Sequence, residues 1–353
     1  ALDISVSICR NCGKRIAEGR SGSFTQYIFR ADICQCESPK PFKQAPFGSP
    51  NPTSHAVIFD DENEEELEFA PEKFPVERYK AIRQLGSGGS GTVYLARDRL
   101  LNKLVAVKLL IMLEPKQLIA FQEEARATSS LSHSFIVGLL DFGVTAGAVP
   151  YMVLDYVPGA SLEEVLKERK RLDWQVCQKI FVQVCEALEF AHDHGILHRD
   201  ITPQNIILHE VVDKKDEFAV RIIDFGIASA MRSDENEGSQ KQEAVIGAPL
   251  YMSPDLARGL VYDSRSEVYC LACVLFEALS GNPPYVGETP LLTLNMHAEA
   301  EIPRLSELVE NLSSDFDEVF FRALAKDPDD RMESIAEFRS CLMQRIFPHD
   351  KAP

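Results

Sequence analysis

The sequence of 353 residues predicts an α+β fold, in which strands and helices occupy separate stretches of the chain. Five strand-like runs surround one helix-like stretch between residues 79 and 156. Beyond residue 160, apolar residues recur mainly with the spacing of helices. We therefore expect a small five-stranded sheet with one helix, followed by a larger and mostly helical part. Four clustered cysteines near the N-terminus predict a further small unit.

This small unit spans residues 1–42 and resembles a zinc ribbon or knuckle. Its four thiols are Cys9 and Cys12, in a C-x-x-C-G-K turn, and Cys34 and Cys36, in a C-x-C pair. Four thiolates from two tight turns suit a tetrahedral structural zinc ion. The alternatives are redox or disulfide use, or four unrelated reduced cysteines. So short a unit buries little apolar surface, and we expect it to need the metal to fold.

Residues 43–77 are predicted to be a Pro-rich acidic linker. Seven of the nine residues from 60 to 68 are Asp or Glu. Such a run repels itself and usually stays solvated. The alternative is an acidic arm that contacts a basic patch elsewhere in the chain.

Composition narrows the classes of function. With a formal net charge of -17 we expect no nucleic-acid partner, because phosphate binding needs a basic face. A nucleic-acid binder defined by the cysteine unit is the weaker alternative. The five other cysteines lie in apolar stretches, which indicates core thiols in a reducing compartment and a cytoplasmic location. We expect no signal peptide in residues 1–8 and no membrane segment in this chain, while a continuation beyond Pro353 stays open.

The elements are predicted from periodicity and capping. Ser161 begins a helix with a capping-box sequence that ends at Glu164. The predicted strands are 79–85, 92–97, 104–110, 135–140 and 151–156. The predicted helices are 115–130, one beginning at 162, 174–194, 267–280, 291–297, 314–325 and 334–345.

Four motifs follow one another along the chain. A glycine loop, G-x-G-x-x-G, begins at Gly86 and runs between two strands, so it fits a lid over phosphates better than a helix entry. A V-A-V-K strand ends at Lys108. H-R-D-x-x-x-x-N places Asp200 and Asn205 together, and D-F-G begins at Asp224. Carboxylate and amide oxygens without nearby thiols suit Mg²⁺ rather than zinc.

These motifs, in this order, resemble the protein kinases, most closely the bacterial eukaryotic-like (Hanks-type) serine/threonine kinases. The resemblance covers residues 79–346 and implies a two-lobed protein-kinase-like fold over residues 78–346, with a small lobe at 78–155 and a large lobe at 156–346. It implies a serine/threonine protein kinase that uses ATP and Mg²⁺ to phosphorylate a protein substrate. It also allows a homodimer of kinase domains.

The resemblance assigns roles to individual residues. Asp200 would accept or orient the substrate hydroxyl, and Asn205 and Asp224 would hold Mg²⁺. Lys108 would contact the α- and β-phosphates and pair with Glu124, with Glu123 as the solvent-facing alternative. The nucleotide-binding residues it implies are Gly86, Ser87, Gly88, Gly89, Gly91, Val93, Ala106, Lys108, Leu154 as gatekeeper, Asp155 and Val157 through their backbones, Asn205 and Asp224.

Two departures from the family pattern concern the substrate side. Thr202 stands where these kinases usually carry Lys, and Ala248 stands where they usually carry Thr. The residues implied to bind ATP and Mg²⁺ are all present, whereas two residues that usually serve the substrate side are replaced. The alternative function is therefore a nucleotide-binding pseudokinase or scaffold with weak or no phosphotransfer.

Other departures concern structural ion pairs. Asp255 replaces the usual Glu opposite Arg331, and because Asp is one methylene shorter, we expect a looser or water-bridged pair. Glu267 replaces the Asp that normally anchors the catalytic loop, and Ala272 replaces a glycine.

The activation segment contains no threonine between Asp224 and Asp255. We therefore expect less control by phosphothreonine than in relatives. Glu243 would offer Arg199 a permanent carboxylate, and phosphorylation of Ser239 is the competing mechanism.

Overall fold

The computed structural model describes residues 67–88, 91–110, 115–211, 217–225, 249–258, 260–310 and 312–344, together with two short strands near the N-terminus. Several predictions concern residues outside these ranges. These residues are the four cysteines predicted to bind zinc, most of the acidic linker, Gly89, Ala248, Ser239 and Glu243.

The two N-terminal strands pair with each other. β1 (Ser7–Ile8) and β2 (Arg15–Ile16) are antiparallel, with Ser7 opposite Ile16 and Ile8 opposite Arg15. The C-x-x-C sequence at residues 9–12 lies between them in the chain.

The small lobe is built on a five-stranded antiparallel sheet in the order β3-β4-β5-β7-β6. Its strands are β3 (Tyr79–Gly88), β4 (Gly91–Asp98), β5 (Lys103–Leu110), β6 (Leu139–Val144) and β7 (Pro150–Asp155). The helix α1 (Pro115–Thr128) packs on this sheet, because Phe121 and Ala125 share a buried cluster with Leu110 and Met152. The expected sheet with one helix is confirmed.

The predicted strand at 135–140 is wrong in position. β6 begins at Leu139, because the preceding residues bond to the other lobe. Val137 N donates to Ile222 O at 2.9 Å, and Ile222 N donates to Phe135 O at 2.8 Å. The apolar run thus bridges the lobes before it joins the sheet.

The large lobe is mostly helical, as expected. Its helices are α2 (Leu162–Arg169), α3 (Trp174–Asp193), α4 (Pro254–Ala257), α5 (Ser264–Ser280), α6 (Pro290–Glu299), α7 (Leu305–Leu308), α8 (Asp315–Ala323) and α9 (Ile335–Met343). The predicted capping box at Ser161 and Glu164 is present. Nearly all side chains of α5 are buried, so this helix forms the centre of the lobe. Within the described ranges, no helix has the length and apolarity needed to cross a membrane.

The large lobe also contains a small sheet that the sequence did not predict. β8 (Ala160–Ser161), β9 (Ile206–Glu210) and β10 (Phe218–Ile222) pair in the order β10-β9-β8. The H-R-D-x-x-x-x-N motif ends directly before β9, and the D-F-G motif begins shortly after β10.

The prediction of core cysteines is confirmed for four of the five scattered residues. Cys177, Cys185, Cys270 and Cys273 are buried, and Cys341 is half-buried. Burial raises the pKa of the Cys270 thiol to about 12, so this group stays protonated at neutral pH.

The ion pair between Asp255 and Arg331 is direct, and the expectation of a loose or water-bridged pair is wrong. Arg331 Nη1 donates to Asp255 Oδ2 at 2.7 Å and Nη2 donates to Oδ1 at 3.3 Å. Arg331 also donates to the carbonyl oxygens of Ala325 and Arg265, and Ser266 Oγ donates to Asp255. The backbone around the pair brings the two groups together, which offsets the shorter side chain.

Replacing Arg331 by methionine is expected to lower the free energy of unfolding by about 3–5 kcal/mol, because Asp255 would stay buried without its partner. Urea denaturation at pH 7 measures this loss. The matched control is Arg339→Met, whose pair with Glu189 is partly exposed and contributes at most about 1 kcal/mol. Equal losses in the two variants would contradict the prediction.

The same pair predicts a pH dependence. Burial alone would raise the pKa of Asp255, but hydrogen bonds from Arg331 and Ser266 and the charge of Arg331 lower it below the ordinary value. The stabilisation is therefore complete above about pH 4 and is lost as the pH falls through the lowered pKa. The stability difference between wild type and Arg331→Met should shrink over that range.

Candidate active site

Lys108 lies where the two lobes meet, on the central strand of the small-lobe sheet. It stands opposite Val93 on β4 and Met152 on β7. Its side chain is 2% exposed, and its Nζ lies 3.1 Å from Asp224 Oδ2. A lysine is buried this deeply only when it is paired, and Asp224 of the large lobe provides a carboxylate.

Asp200 and Asn205 are joined within the catalytic loop. Asn205 Nδ2 donates to the Asp200 carbonyl at 2.7 Å and to Asp200 Oδ2 at 2.9 Å. His198 is fully buried; its Nε2 contacts Ile223 O at 3.0 Å, and its Nδ1 accepts from Asp200 N at 3.2 Å. Ile223 N also donates to Asn205 O at 3.0 Å. The loop and the segment that leads to Asp224 are therefore held at a fixed separation.

Glu267 anchors this loop to the core of the large lobe. Its carboxylate is fully buried, accepts from Arg199 N at 2.7 Å and lies 2.6 Å from His192 Nε2. Tyr262 OH adds a longer contact of 3.4 Å. The longer Glu side chain thus reaches both the catalytic loop and the end of α3.

One carboxylate oxygen of Asp224 is left over after its contact with Lys108. Its φ of 64° is left-handed, and its side chain is only 8% exposed. Oδ2 meets Lys108, whereas Oδ1 is buried and receives no hydrogen bond in the described part of the chain. Because Asn205 uses its NH₂ group on Asp200, its amide oxygen is the atom left for a cation. These two oxygen donors fit Mg²⁺.

An apolar cavity adjoins these polar groups. Its lining contains six residues predicted to bind the nucleotide: Val93, Ala106, Leu154, Asp155, Val157 and Asp224. Four further lining residues were missed: Val137, Tyr156, Ile207 and Ile223. Ile207 could have been predicted, because it lies in the middle of a short apolar run, Ile206 to Leu208, directly after Asn205.

The described part of the glycine loop lies at the ends of β3 and β4. Gly91 has a φ of 142°, and a Cβ atom added there would lie 2.0 Å from Leu109 O, so no other residue fits. Gly88 pairs with Gly91, which places Gly86, Ser87 and Gly88 at the end of β3.

Two assignments are refined by backbone and burial. Asp155 N donates to Gly138 O at 3.0 Å, so this N–H is already used and does not meet an adenine edge. On α1, Glu124 is partly buried, whereas Glu123 is exposed, in line with the solvent-facing alternative. The pairing of Glu124 with Lys108 stays a prediction.

Thr202 lies within the catalytic loop, between Asp200 and Asn205. It is 6% exposed, and its hydroxyl has no hydrogen-bond partner in the described ranges. It lines a small cavity with Asp200, Met252 and Ser253. A neutral hydroxyl therefore occupies the position where the resemblance implies a lysine.

The fold and the arrangement of these side chains identify the class of protein to which the chain belongs. Residues 79–345 match the protein kinase domain, and the chain belongs to the protein kinase family. It is 38% identical over 274 residues to the serine/threonine-protein kinase PknB of Mycobacterium tuberculosis and to that of Mycobacterium leprae. These alignments cover 76% of this chain and 43% of each relative, so the chain spans less than half of their length.

A solved structure agrees with the fold. The kinase domain of Mycobacterium tuberculosis PknI superposes with a TM-score of 0.60 at 26% identity. The match covers 78% of this chain and 98% of that domain. The two-lobed protein kinase fold is thus confirmed.

Replacing Glu267 by alanine is expected to release the catalytic loop, because Arg199 N and His192 would lose a buried acceptor. We expect amide hydrogen exchange at residues 199–200 to accelerate and stability to fall by about 1–3 kcal/mol. The matched control is Glu277→Ala on the same helix, where the carboxylate accepts from Tyr251 OH. Unchanged exchange at residues 199–200 in Glu267→Ala would contradict the anchoring role.

Proposed function

We propose that the chain is an active serine/threonine protein kinase that transfers the γ-phosphoryl group of ATP to protein hydroxyls. The observation that carries this proposal is the convergence of Lys108, Asp200, Asn205 and Asp224 beside one apolar cavity. Phosphoryl transfer depends mainly on positioning and on neutralising charge, and these four side chains supply both. The relatives named PknB support the serine/threonine class.

Different residues bind the nucleotide, handle the substrate proton and hold the metal ion. The cavity holds the adenine, and Lys108 offers its ammonium to phosphate oxygens. Asp200, oriented by Asn205 Nδ2, accepts the proton of the substrate hydroxyl or directs that hydroxyl toward the phosphoryl group. Asn205 and Asp224 would hold Mg²⁺, which supplies charge neutralisation on the transferring group when bound.

Thr202 replaces a lysine that these kinases usually carry, but the four side chains named above are all present. It leaves the substrate side without the usual lysine, so we propose that the chain relies on Lys108 and the metal ligands for charge neutralisation. The opposing view, a nucleotide-binding pseudokinase, requires nucleotide binding without transfer.

Asp200→Asn is expected to reduce phosphate transfer from radiolabelled ATP by about 10²–10⁴-fold, because the hydroxyl loses its proton acceptor. Thermal stabilisation by ADP and Mg²⁺ should be retained, since Asp200 is not assigned to the nucleotide. The control is Asp193→Asn, an exposed aspartate at the end of α3. Equal transfer by wild type and Asp200→Asn would overturn the assignment. Stabilisation by nucleotide without transfer in wild type would establish the pseudokinase.

We also propose that residues 1–42 form a structural zinc unit with Cys9, Cys12, Cys34 and Cys36 as ligands. Support comes from the spacing of the cysteines and from the pairing of β1 with β2, the two strands that flank the C-x-x-C-G-K sequence in the chain. Zinc would hold together a segment too small to fold on apolar burial alone.

Elemental analysis of protein prepared without chelator is expected to give one zinc per chain. Cys9→Ser combined with Cys12→Ser should abolish the zinc, because two of four ligands are lost. Cys341→Ser, a half-buried thiol of the large lobe, is the matched control and should retain it. A zinc-free wild type, or zinc retained in the double variant, would refute the proposal.

A further inference from the structure

The segment that joins the lobes, residues 155–158, has two faces. One face lines the apolar nucleotide cavity. Behind the other face lies a second cleft of about 420 Å³. Cavities of this size accept small molecules. The proposed kinase chemistry uses nothing in this cleft beyond the wall that it shares with the nucleotide cavity.

Three segments from both lobes form the cleft: residues 133–138, residues 155–158, and the hairpin of β9 and β10. They are fastened to one another by main-chain bonds. Val137 N donates to Ile222 O at 2.9 Å, and Asp155 N donates to Gly138 O at 3.0 Å. His209 Nδ1 contacts Pro158 O at 3.1 Å. The cleft is thus formed by a connected frame rather than by loose loops.

Cationic and donor groups line this cleft. Arg221 makes one long hydrogen bond, to Val220 O at 3.4 Å, and no ion pair within the described ranges. His133 Nδ1 accepts from Phe135 N at 3.3 Å, so a neutral ring carries its hydrogen on Nε2. The His133 ring also stacks on Phe190, with centroids 5.0 Å apart, which fixes its orientation. An arginine that makes no ion pair with the described residues and an oriented N–H donor therefore border one cleft.

The carboxylate in this cleft does not cancel that charge. Asp155 is paired with Lys103, which offsets its negative charge locally. The remaining wall contains apolar surface from Ile136, Val137 and Pro158. Guanidinium groups bind phosphate and carboxylate through paired N–H donors.

We infer that this hinge-back cleft binds a small molecule that carries a phosphate or carboxylate group, with Arg221 and His133 on the oxyanion. The apolar wall would accept the body of the molecule.

The cleft is physically linked to the nucleotide cavity. Val137, Asp155, Tyr156 and Val157 line both. A ligand that fixes this shared wall changes the affinity of the nucleotide, and the nucleotide changes the affinity of the ligand by the same factor. This regulatory consequence rests on the proposed kinase function, whereas binding of the anion does not.

The test titrates inorganic phosphate and, separately, citrate into the full chain at constant ionic strength, with adenosine present at saturation. The melting temperature reports binding. We expect Arg221→Gln to weaken binding about tenfold, as the loss of a charge-assisted hydrogen bond predicts. Arg171→Gln, an exposed arginine between α2 and α3, is the matched control and should bind as wild type does. His133→Gln is the second variant, in case Arg221→Gln alters folding.

The outcomes are separable. Stabilisation by phosphate alone identifies phosphorylated ligands, and stabilisation by both anions identifies oxyanions in general; each supports the site. Equal stabilisation of wild type, Arg221→Gln and His133→Gln is a general salt effect and overturns it. No stabilisation of wild type also overturns it. Because no phosphate transfer is measured, loss of kinase activity leaves this result unaffected.

Discussion

The buried carboxylate of Glu267 is the contact on which the geometry of the active site depends. It lies on the central helix of the large lobe and receives the Arg199 amide and His192. A buried carboxylate needs hydrogen-bond donors, and departure of the loop would deprive this one of the Arg199 amide. The packing of the central helix thereby fixes the position of Asp200, the residue next to Arg199.

The remaining functional groups are positioned by sheets rather than by loops. Lys108 stands on the central strand of the small-lobe sheet, and Asp224 follows β10 closely. The contact of 3.1 Å between them therefore reports the relative position of the two lobes. Rotation of one lobe against the other would separate Lys108 from Asp224 before it disturbed either sheet.

Sequence reasoning located the motifs and most helices because these are local signals. It misplaced β6, because Phe135 and Val137 bond to Ile222 of the other lobe, and it missed β8, whose partner β9 lies far along the chain. It also missed the local hairpin of β9 and β10. Val137 and Ile223 carry no chemical signature, so only the fold reveals that they line the apolar cavity. The reach of Asp255 was misjudged because side-chain length was considered without the backbone that carries it.

Two residues beside the chemistry, Arg199 and Asp224, adopt left-handed backbone conformations with φ of 63° and 64°. For residues with a Cβ this conformation costs about 1–2 kcal/mol each. Natural domains are stable by only about 5–15 kcal/mol, so this strain is a substantial fraction of such a margin. Laboratory evolution for heat resistance alone would favour glycine at these positions. A protein bred only to survive heating would therefore tend to lose the Asp224 carboxylate that contacts Lys108 and the Arg199 side chain next to Asp200.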